Sequence, residues 1–184
     1  MKAPLKAILI DHDDSFTFNL QHWLHAFCDQ VHIVNHLEID AQQFSEFDFV
    51  VLSPGPKSPH DYPHIVQWLQ KKFFAKPIFG VCLGMQLLAI AGGGKVEPYL
   101  QPLHGKKSKL ETNIPEFNNL VVARYHSLEC LDLKNFDLIA RCGATAMWVE
   151  HTNKKWLGVQ FHPESFMTEK TFLLQNYLQQ WINK

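Results

Sequence analysis

Short apolar runs alternate with apolar residues at helical spacing through the first half of the chain. Between the runs, apolar positions recur every three or four residues, which predicts a helix from Phe16 to Phe27, with Ser15 as its N-cap, and another over residues 65–74. This alternation is typical of a parallel sheet whose two faces are covered by helices. The runs that predict buried strands are residues 5–10, 31–34, 47–52 and 78–81.

The second half of the chain has a different pattern, in which β-like runs follow one another at residues 120–124, 138–141, 147–150 and 156–161. Residues 152–155 connect the last two runs and predict a hairpin. The chain closes with a helix whose apolar stripe belongs to the core. We therefore predict an α/β fold in a single domain, residues 1–184, with a mainly parallel central sheet, helices on both faces and a smaller antiparallel β part.

A cysteine between two glycines is the strongest candidate for chemistry. Cys82 has Gly80 and Gly84 two positions to either side, and it lies between a predicted strand and a predicted helix. Glycines relieve the crowding of a sharp strand-to-helix turn, so the side chain between them projects from the sheet edge. The helix N-terminus favours a thiolate there. A lone cysteine is more often a small core residue, and this turn is what favours a nucleophile.

A histidine near the end of the chain is the candidate base for this thiol. His162 ends the last β-like run, and Pro163 holds its backbone extended. Residues two apart in an extended segment face the same side, so Glu164 can orient the imidazole ring and stabilise its protonated form. The pattern predicts a triad of Cys82, His162 and Glu164.

Two backbone N–H groups are candidates for an oxyanion hole. The residue after a nucleophile in such a turn is the usual first donor, and here it is Leu83. The second donor should come from a neighbouring loop, and Gly55, which lies between Pro54 and Pro56, has a free amide in a stiff turn.

Composition excludes several classes of function. Charged residues make up 19% of the chain and the net charge is −1, so no basic surface for nucleic acid is predicted. No apolar run approaches the roughly 20 residues of a membrane span, and we expect no signal peptide. Four cysteines at irregular spacing, without a CxxC pair, predict free thiols in the reducing cytoplasm.

Eleven histidines raise the question of a metal site. His22, His25 and Cys28 have a spacing that could place three ligands on one helical face. No fourth ligand or recognised metal motif accompanies them, so dispersed surface histidines are the favoured interpretation. We predict neither a metal nor a cofactor.

Six segments of the chain resemble, in order, the successive motifs of class I glutamine amidotransferases. The similarity extends over nearly the whole chain and is strong to the small glutaminase subunits of anthranilate synthase and aminodeoxychorismate synthase. The segments are residues 13–17 (DDSFT), 53–56 (SPGP), 80–84 (GVCLG), 104–106 (HGK), 124–128 (RYHSL) and 158–165 (GVQFHPES).

The resemblance implies a flavodoxin-like fold and hydrolysis of L-glutamine to glutamate and ammonia, through a γ-glutamyl thioester on Cys82. It also implies that the ammonia passes to a chorismate-using synthase large subunit, which must be another polypeptide because no acceptor-substrate domain is expected in this chain. The residues implied for glutamine binding are Gly55, Pro56, Lys57, Gln86, Ser127 and Leu128.

Three positions depart from the family pattern. Lys57 replaces a usual glycine, Met85 replaces a common histidine, and His12 replaces a usual asparagine. Two other functions therefore stay open: a catalytically silent regulatory module of the same fold, and a stand-alone thiol hydrolase of γ-glutamyl or peptide substrates. The sequence also leaves open whether the partner makes anthranilate, aminodeoxychorismate or both.

Overall fold

The computed structural model describes residues 5–71 and 76–184. Within these residues, ten strands form two sheets. An eight-stranded sheet has the order β2-β1-β3-β4-β10-β9-β8-β6, and β5 pairs with β7 in a separate two-stranded sheet. The strands are β1 (Leu5–Asp11), β2 (Cys28–Asn35), β3 (Phe49–Leu52), β4 (Ile78–Val81), β5 (Lys95–Lys109), β6 (Glu111–Thr112), β7 (Val121–Leu131), β8 (Phe136–Cys142), β9 (Thr145–His151) and β10 (Trp156–Val159).

The described residues also form four α-helices, which are α1 (Thr17–Leu24), α2 (Pro63–Lys71), α3 (Leu83–Ala91) and α4 (Phe172–Ile182). Three short 3₁₀ helices, His36–Ala41, Phe44–Glu46 and Pro59–Asp61, lie in the connections.

The large sheet is parallel in one part and antiparallel in the other. Parallel pairing joins β2 to β1, β1 to β3, β3 to β4 and β4 to β10. Strands β9, β8 and β6 extend the sheet from β10 by antiparallel pairing. The predicted fold class is therefore confirmed, including the antiparallel part built from the second half of the chain and the hairpin that joins β9 to β10.

Helices cover both faces of the parallel strands, as predicted. Apolar residues of α1 and α4 belong to one buried cluster, and those of α2 and α3 belong to the other. Strand β1 shows how the sheet divides them: Ala7 and Leu9 lie in the first cluster, and Ile8 and Ile10 lie in the second. A parallel strand that is buried on both faces has a continuous apolar sequence, which is why this run was recognisable.

Several local predictions were wrong. Ser15 is not the cap of α1, because the helix begins at Thr17 with Phe16 at the N-cap and no side-chain cap hydrogen bond. The helix ends at Leu24, well before Phe27, and Cys28 already begins β2, so the predicted helical face of His22, His25 and Cys28 does not exist. Of the second predicted helix, residues 72–74 lie outside the described residues.

The β5–β7 pair was not predicted in full. Strand β5 contains two prolines and a glycine, which hide its strand pattern, and its pairing with β7 shifts register between Pro98 and Leu103 and again between His104 and Lys106. Strand β7 extends to Leu131, seven residues beyond the predicted run. This ribbon brings β7 across the edge of the sheet where the candidate site lies.

Glycine at the start of α3 allows the helix to approach the sheet closely. A Cβ atom at Gly84 would lie 2.3 Å from the backbone oxygen of Leu52 and 2.9 Å from its Cβ. A Cβ atom at Gly80 would lie 2.5 Å from the backbone carbonyl carbon of Gly84. Both glycines that flank the Cys82 turn are therefore required by close packing, as the sequence pattern indicated.

We expect Gly84→Ala to lower the free energy of unfolding by about 3 kcal/mol, because the added methyl meets backbone that cannot yield easily. The matched control is Gly143→Ala, where φ is +59° but no atom lies within 4 Å of the new methyl. This control should lose only about 1 kcal/mol, from left-handed backbone strain. Urea denaturation measures both, and equal losses in the two variants would contradict the packing argument.

Candidate active site

The candidate site lies at one edge of the large sheet. The loops after β1, β3, β4 and β10 all leave the carboxyl ends of neighbouring parallel strands. These loops carry His12, Gly55, Cys82 and His162, respectively. Ligands bind at this edge in open parallel sheets, and the topology therefore brings the predicted catalytic segments to one place.

Cys82 occupies the turn between β4 and α3. It is the N-cap of α3, with φ 53° and ψ −102°. A non-glycine residue in this region carries about 1–3 kcal/mol of strain and persists only where its surroundings hold it. One restraint is the Cys82 N–H, which donates to the carbonyl of Val159 on β10 at 2.8 Å. The residue is 7% exposed, so only a small part of it reaches solvent.

His162 and Glu164 form a buried pair. The Nδ1 atom of His162 lies 2.6 Å from Oε1 of Glu164, and both side chains are almost completely buried. The backbone of His162 is also anchored to β7, because its N–H donates to the carbonyl of Ala123 at 3.1 Å. The hydroxyl of Thr168 donates to the His162 carbonyl at 2.7 Å and accepts from the Ala123 N–H at 3.0 Å. The imidazole is therefore held at both its ring and its backbone.

The charge state of His162 depends on its neighbours. Burial by itself lowers the pKa of His162, but the Glu164 carboxylate and the Cys82 sulfur outweigh burial and raise that pKa well above its ordinary value of 6.5. The Nε2 atom is buried and has no hydrogen-bond partner among the described residues. That nitrogen is thus the ring position left to exchange a proton with the thiol or with a bound molecule.

Two aromatic rings enclose the imidazole. The ring of Tyr125 on β7 lies 5.1 Å from that of His162, and the ring of Phe16 lies 5.8 Å from it, both edge-on. These rings limit the approach of water to the His162–Glu164 pair, which strengthens the electrostatic interaction within it.

A glutamine that the sequence analysis did not select contacts the cysteine. The Nε2 atom of Gln160 donates to Sγ of Cys82 at 3.5 Å, and Oε1 of Gln160 accepts from Nε2 of Gln86 at 3.2 Å. Both glutamines are buried. Gln86, which was predicted to bind glutamine, thus contacts Gln160, the residue that contacts the Cys82 sulfur. Gln160 could have been found, because it lies two positions before His162 in an extended segment.

The two residues predicted to supply the oxyanion donors pack against each other. A Cβ atom at Gly55 would lie 2.4 Å from Cδ2 of Leu83 and 2.9 Å from Cβ of His12. Among the described residues, neither the Gly55 N–H nor the Leu83 N–H donates to an acceptor. Lys57, which follows Pro56 in the same loop, is exposed and has φ 70°. Lys57, which the family resemblance marks as a replacement of glycine, therefore adopts the left-handed backbone that glycine favours, with strain of about 1–2 kcal/mol.

The predicted glutamine-binding segment of β7 is held by a chain of hydrogen bonds. Arg124 Nε donates to Nε2 of His126 at 3.0 Å, and His126 Nδ1 then donates to the carbonyl of Leu128 at 2.8 Å. Burial lowers the pKa of His126 to about 4, and His162 is among the charges that act on it. Ser127 lies opposite the first register shift of β5, between the residues paired with Leu103 and Pro98, so its backbone is unpaired there.

A cluster of histidines lies beneath the Gly55 loop. The N–H and Nδ1 of His12 each lie 3.0 Å from the hydroxyl of Ser53, which itself donates to the Pro54 carbonyl. The ring of His12 stacks on that of His36 at 5.9 Å, and His36 Nδ1 lies 2.9 Å from Nε2 of His64. This cluster was not predictable from the sequence, because His36 and His64 are far from His12 along the chain.

No three histidine, cysteine or carboxylate side chains within residues 5–71 and 76–184 form a group that could hold a metal ion. In the same described residues, no helix is long and apolar enough to cross a membrane.

Residues 8–181 match the family model described as Glutamine amidotransferase class-I. The chain belongs to this family. Curated relatives include anthranilate synthase component 2 of Pseudomonas aeruginosa, which is 35% identical over 190 residues covering 94% of this chain and 94% of the relative. Another is the aminodeoxychorismate/anthranilate synthase component 2 of Bacillus subtilis, which is 36% identical over 186 residues covering 94% of this chain and 95% of the relative.

Solved structures show the same amidotransferase fold. A glutamine amidotransferase from Thermotoga maritima superposes with a TM-score of 0.74 at 16% identity, with both chains covered in full at 100%. A protein described as one of the subunits of a putative GMP synthase, from Thermoplasma acidophilum, gives a TM-score of 0.83 at 22% identity, covering 100% of this chain and 94% of that one.

The buried His12 makes the stability of this amidotransferase depend on pH. Burial and the neighbouring His36 lower the pKa of His12 to about 3, from the ordinary 6.5. Between these values the unfolded chain binds a proton that the folded protein excludes, so stability falls as the pH falls below 6.5. This one group should lower the free energy of unfolding by about 2 kcal/mol between pH 7.5 and pH 5.

Between pH 7.5 and pH 5, the free energy of unfolding of His12→Asn should therefore fall by about 2 kcal/mol less than that of the unsubstituted protein. Urea denaturation at the two pH values measures this difference. The exposed His25→Asn is the matched control for loss of one imidazole. An identical pH dependence in His12→Asn and His25→Asn would show that His12 is not excluded from protonation.

Proposed function

We propose that this protein is a glutaminase that hydrolyses L-glutamine to glutamate and ammonia, with Cys82 as nucleophile, His162 as acid and base, and Glu164 as the group that orients His162. The observation that supports the proposal most strongly is the buried pair of His162 and Glu164, in which Nδ1 lies 2.6 Å from Oε1. The Cys82 sulfur is close enough to this histidine to contribute to its raised pKa. A nucleophile, a base and a carboxylate that orients the base form a triad for acyl transfer.

In the first half of the reaction, the Cys82 sulfur forms a bond to the carbon of the substrate's side-chain amide, while His162 carries the thiol proton. The carbon–nitrogen bond then breaks, and His162 gives that proton to the departing nitrogen, which leaves as ammonia. The product on the enzyme is a γ-glutamyl thioester. Glu164 stabilises the imidazolium present before ammonia leaves, because its carboxylate faces Nδ1.

In the second half, water attacks the thioester carbon and His162 accepts a proton from it. The carbon–sulfur bond breaks, glutamate leaves, and the proton returns to the sulfur. In both halves the carbonyl oxygen becomes negative. We propose that the N–H groups of Gly55 and Leu83, two residues that pack against each other, stabilise this oxygen, each lowering the barrier by about 3 kcal/mol.

We propose that the substrate lies between the Gly55 loop and β7. Gly55, Pro56 and Lys57 would cover it from one side, through backbone groups. From the other side, the backbone of Ser127, which lies at the register shift, and that of the next residue, Leu128, would hold the amino-acid end. Gln86 donates through Nε2 to Gln160, so its Oε1 would serve as the acceptor for the substrate.

We further propose that the ammonia is used by a chorismate-using synthase large subunit, in the cytoplasm. The support for this partner is the curated relatives, which are named as component 2 of anthranilate synthase or of aminodeoxychorismate/anthranilate synthase. The support for the compartment is that all four cysteines are free thiols, which is usual for proteins of a reducing environment.

Substitution of the nucleophile tests the reaction. We expect Cys82→Ser to lower kcat for glutamine hydrolysis by about 10³-fold or more, because serine without a lowered pKa is a much weaker nucleophile. Glutamate release measures the activity, and circular dichroism should show an unchanged fold. The matched control, Cys142→Ser, replaces another buried thiol and keeps a donor for the Lys109 carbonyl. Turnover of Cys82→Ser within tenfold of the unsubstituted protein would rule out Cys82 as nucleophile.

Reconstitution with a large subunit tests the partner. We expect kcat for glutamine to rise at least about tenfold when the correct component 1 and chorismate are added, because binding of a partner orders catalytic loops. Anthranilate synthase component 1 and aminodeoxychorismate synthase component 1 should be compared, with product formation from glutamine as the measurement. Unchanged glutaminase activity and no product with either large subunit would contradict this partner assignment.

A further inference from the structure

The sulfur of Cys82 accepts a hydrogen bond from a side chain outside the proposed triad. Gln160 Nε2 donates to Cys82 Sγ at 3.5 Å, and the Gln160 residue is completely buried. The backbone of Gln160 is anchored separately, because its N–H donates to the carbonyl of Met147 at 2.9 Å. Gln160 thus approaches the sulfur from a fixed point on the sheet, two residues before the proposed base.

A second glutamine sets which end of the Gln160 amide faces the sulfur. A side-chain amide has a donor end and an acceptor end, and rotation by half a turn exchanges them. Nε2 of Gln86 donates to Oε1 of Gln160 at 3.2 Å, so the Gln160 oxygen must face Gln86. The Gln160 NH₂ group is then left to face Cys82. Gln86 belongs to α3, the helix that Cys82 caps, so Gln86 is held in a fixed position relative to the cysteine.

We propose that Gln160 is a positioning residue for the Cys82 sulfur and favours its anionic form, with Gln86 fixing the orientation of the Gln160 amide. The inference rests on the proposed function, since it assigns these glutamines to the same nucleophile. A hydrogen bond to an ionised acceptor is about twice as strong as one to a neutral acceptor, so the N–H···S contact strengthens when the thiol loses its proton. The same contact limits rotation of the sulfur away from the substrate.

The alternative is that Cys82 merely satisfies a buried amide. Buried polar groups nearly always have partners, and a sulfur can serve as a weak one. On that view, loss of Gln160 would change stability but not the pH at which the sulfur becomes reactive. A rate–pH profile of the thiol therefore separates positioning from packing.

The experiment is alkylation of the full chain by iodoacetamide, with the rate at Cys82 followed by mass spectrometry from pH 5 to pH 10. Burial raises the pKa of Cys28 to about 12, that of Cys142 to about 11, and that of Cys130 in the same direction. These thiols stay protonated over most of that range, so the early reaction reports Cys82. Cys82→Ser gives the background.

We expect Gln160→Met, which keeps the approximate shape and removes the donor, to move the midpoint of the rate–pH profile up by about one unit. The rate at pH 7 should fall about tenfold, while the plateau at high pH stays within about threefold, because one charge-assisted hydrogen bond is lost. With glutamine as substrate, kcat should fall about tenfold and KM should change less than about threefold. An unchanged midpoint in folded Gln160→Met would overturn the proposal.

Gln86→Met provides a second, independent arm, which is needed if Gln160→Met does not fold. Methionine keeps the approximate shape of Gln86 and removes the donor that holds the Gln160 oxygen, without adding a charge near the sulfur. The Gln160 amide can then turn its oxygen towards the sulfur, so the midpoint should rise, but no further than in Gln160→Met. A midpoint that stays in place or falls would overturn the proposed orientation.

The two proposals can fail separately. Alkylation reads the sulfur without glutamine, whereas the Cys82→Ser assay reads glutamine hydrolysis. Suppose that Cys82→Ser retained turnover while the alkylation midpoint still rose in both glutamine variants. The positioning role of Gln160 and Gln86 would then be supported, and the proposed glutaminase reaction at Cys82 would be contradicted.

Discussion

The parallel pairing of β4 with β10 is the constraint on which the site depends. Val81 pairs with Val159, and the next residue, Cys82, donates its N–H to the Val159 carbonyl at 2.8 Å. This register places the cysteine turn beside Gln160, which is two residues from His162. A shift of one residue would turn the side chains of β10 to the opposite faces and remove both groups from the sulfur.

Three buried histidines near this edge differ in charge because their neighbours differ. His162 faces the Glu164 carboxylate and the Cys82 sulfur, which outweigh burial and raise its pKa. Burial is the largest influence on His12 and His126 and lowers the pKa of both, because neither the Asp13 carboxylate near His12 nor any group near His126 outweighs it. A proton is thus held on His162, whereas the imidazoles of His12 and His126 stay neutral near pH 7.

Much of the fold was predictable because its strands are buried on both faces. The continuous apolar runs at β1, β3 and β4 leave little ambiguity about either the element or the sheet type. Strand β5 was missed because prolines and a glycine interrupt its pattern and its register shifts twice, so tertiary pairing with β7 decides its conformation. The start of α1 was misplaced because Asp14, not Ser15, binds the free N–H of Phe16 at 2.7 Å.

The amino-acid sequence by itself determined the local chemistry: a cysteine in a glycine-flanked turn, and a histidine whose following proline sets Glu164 beside it. These follow from backbone preferences over a few residues. Only the tertiary structure decided which groups reach the sulfur and the loop above it. Gln160, Gln86 and the three histidines beneath Gly55 come from separate elements, and their contacts depend on strand register and helix packing, which short-range patterns do not encode.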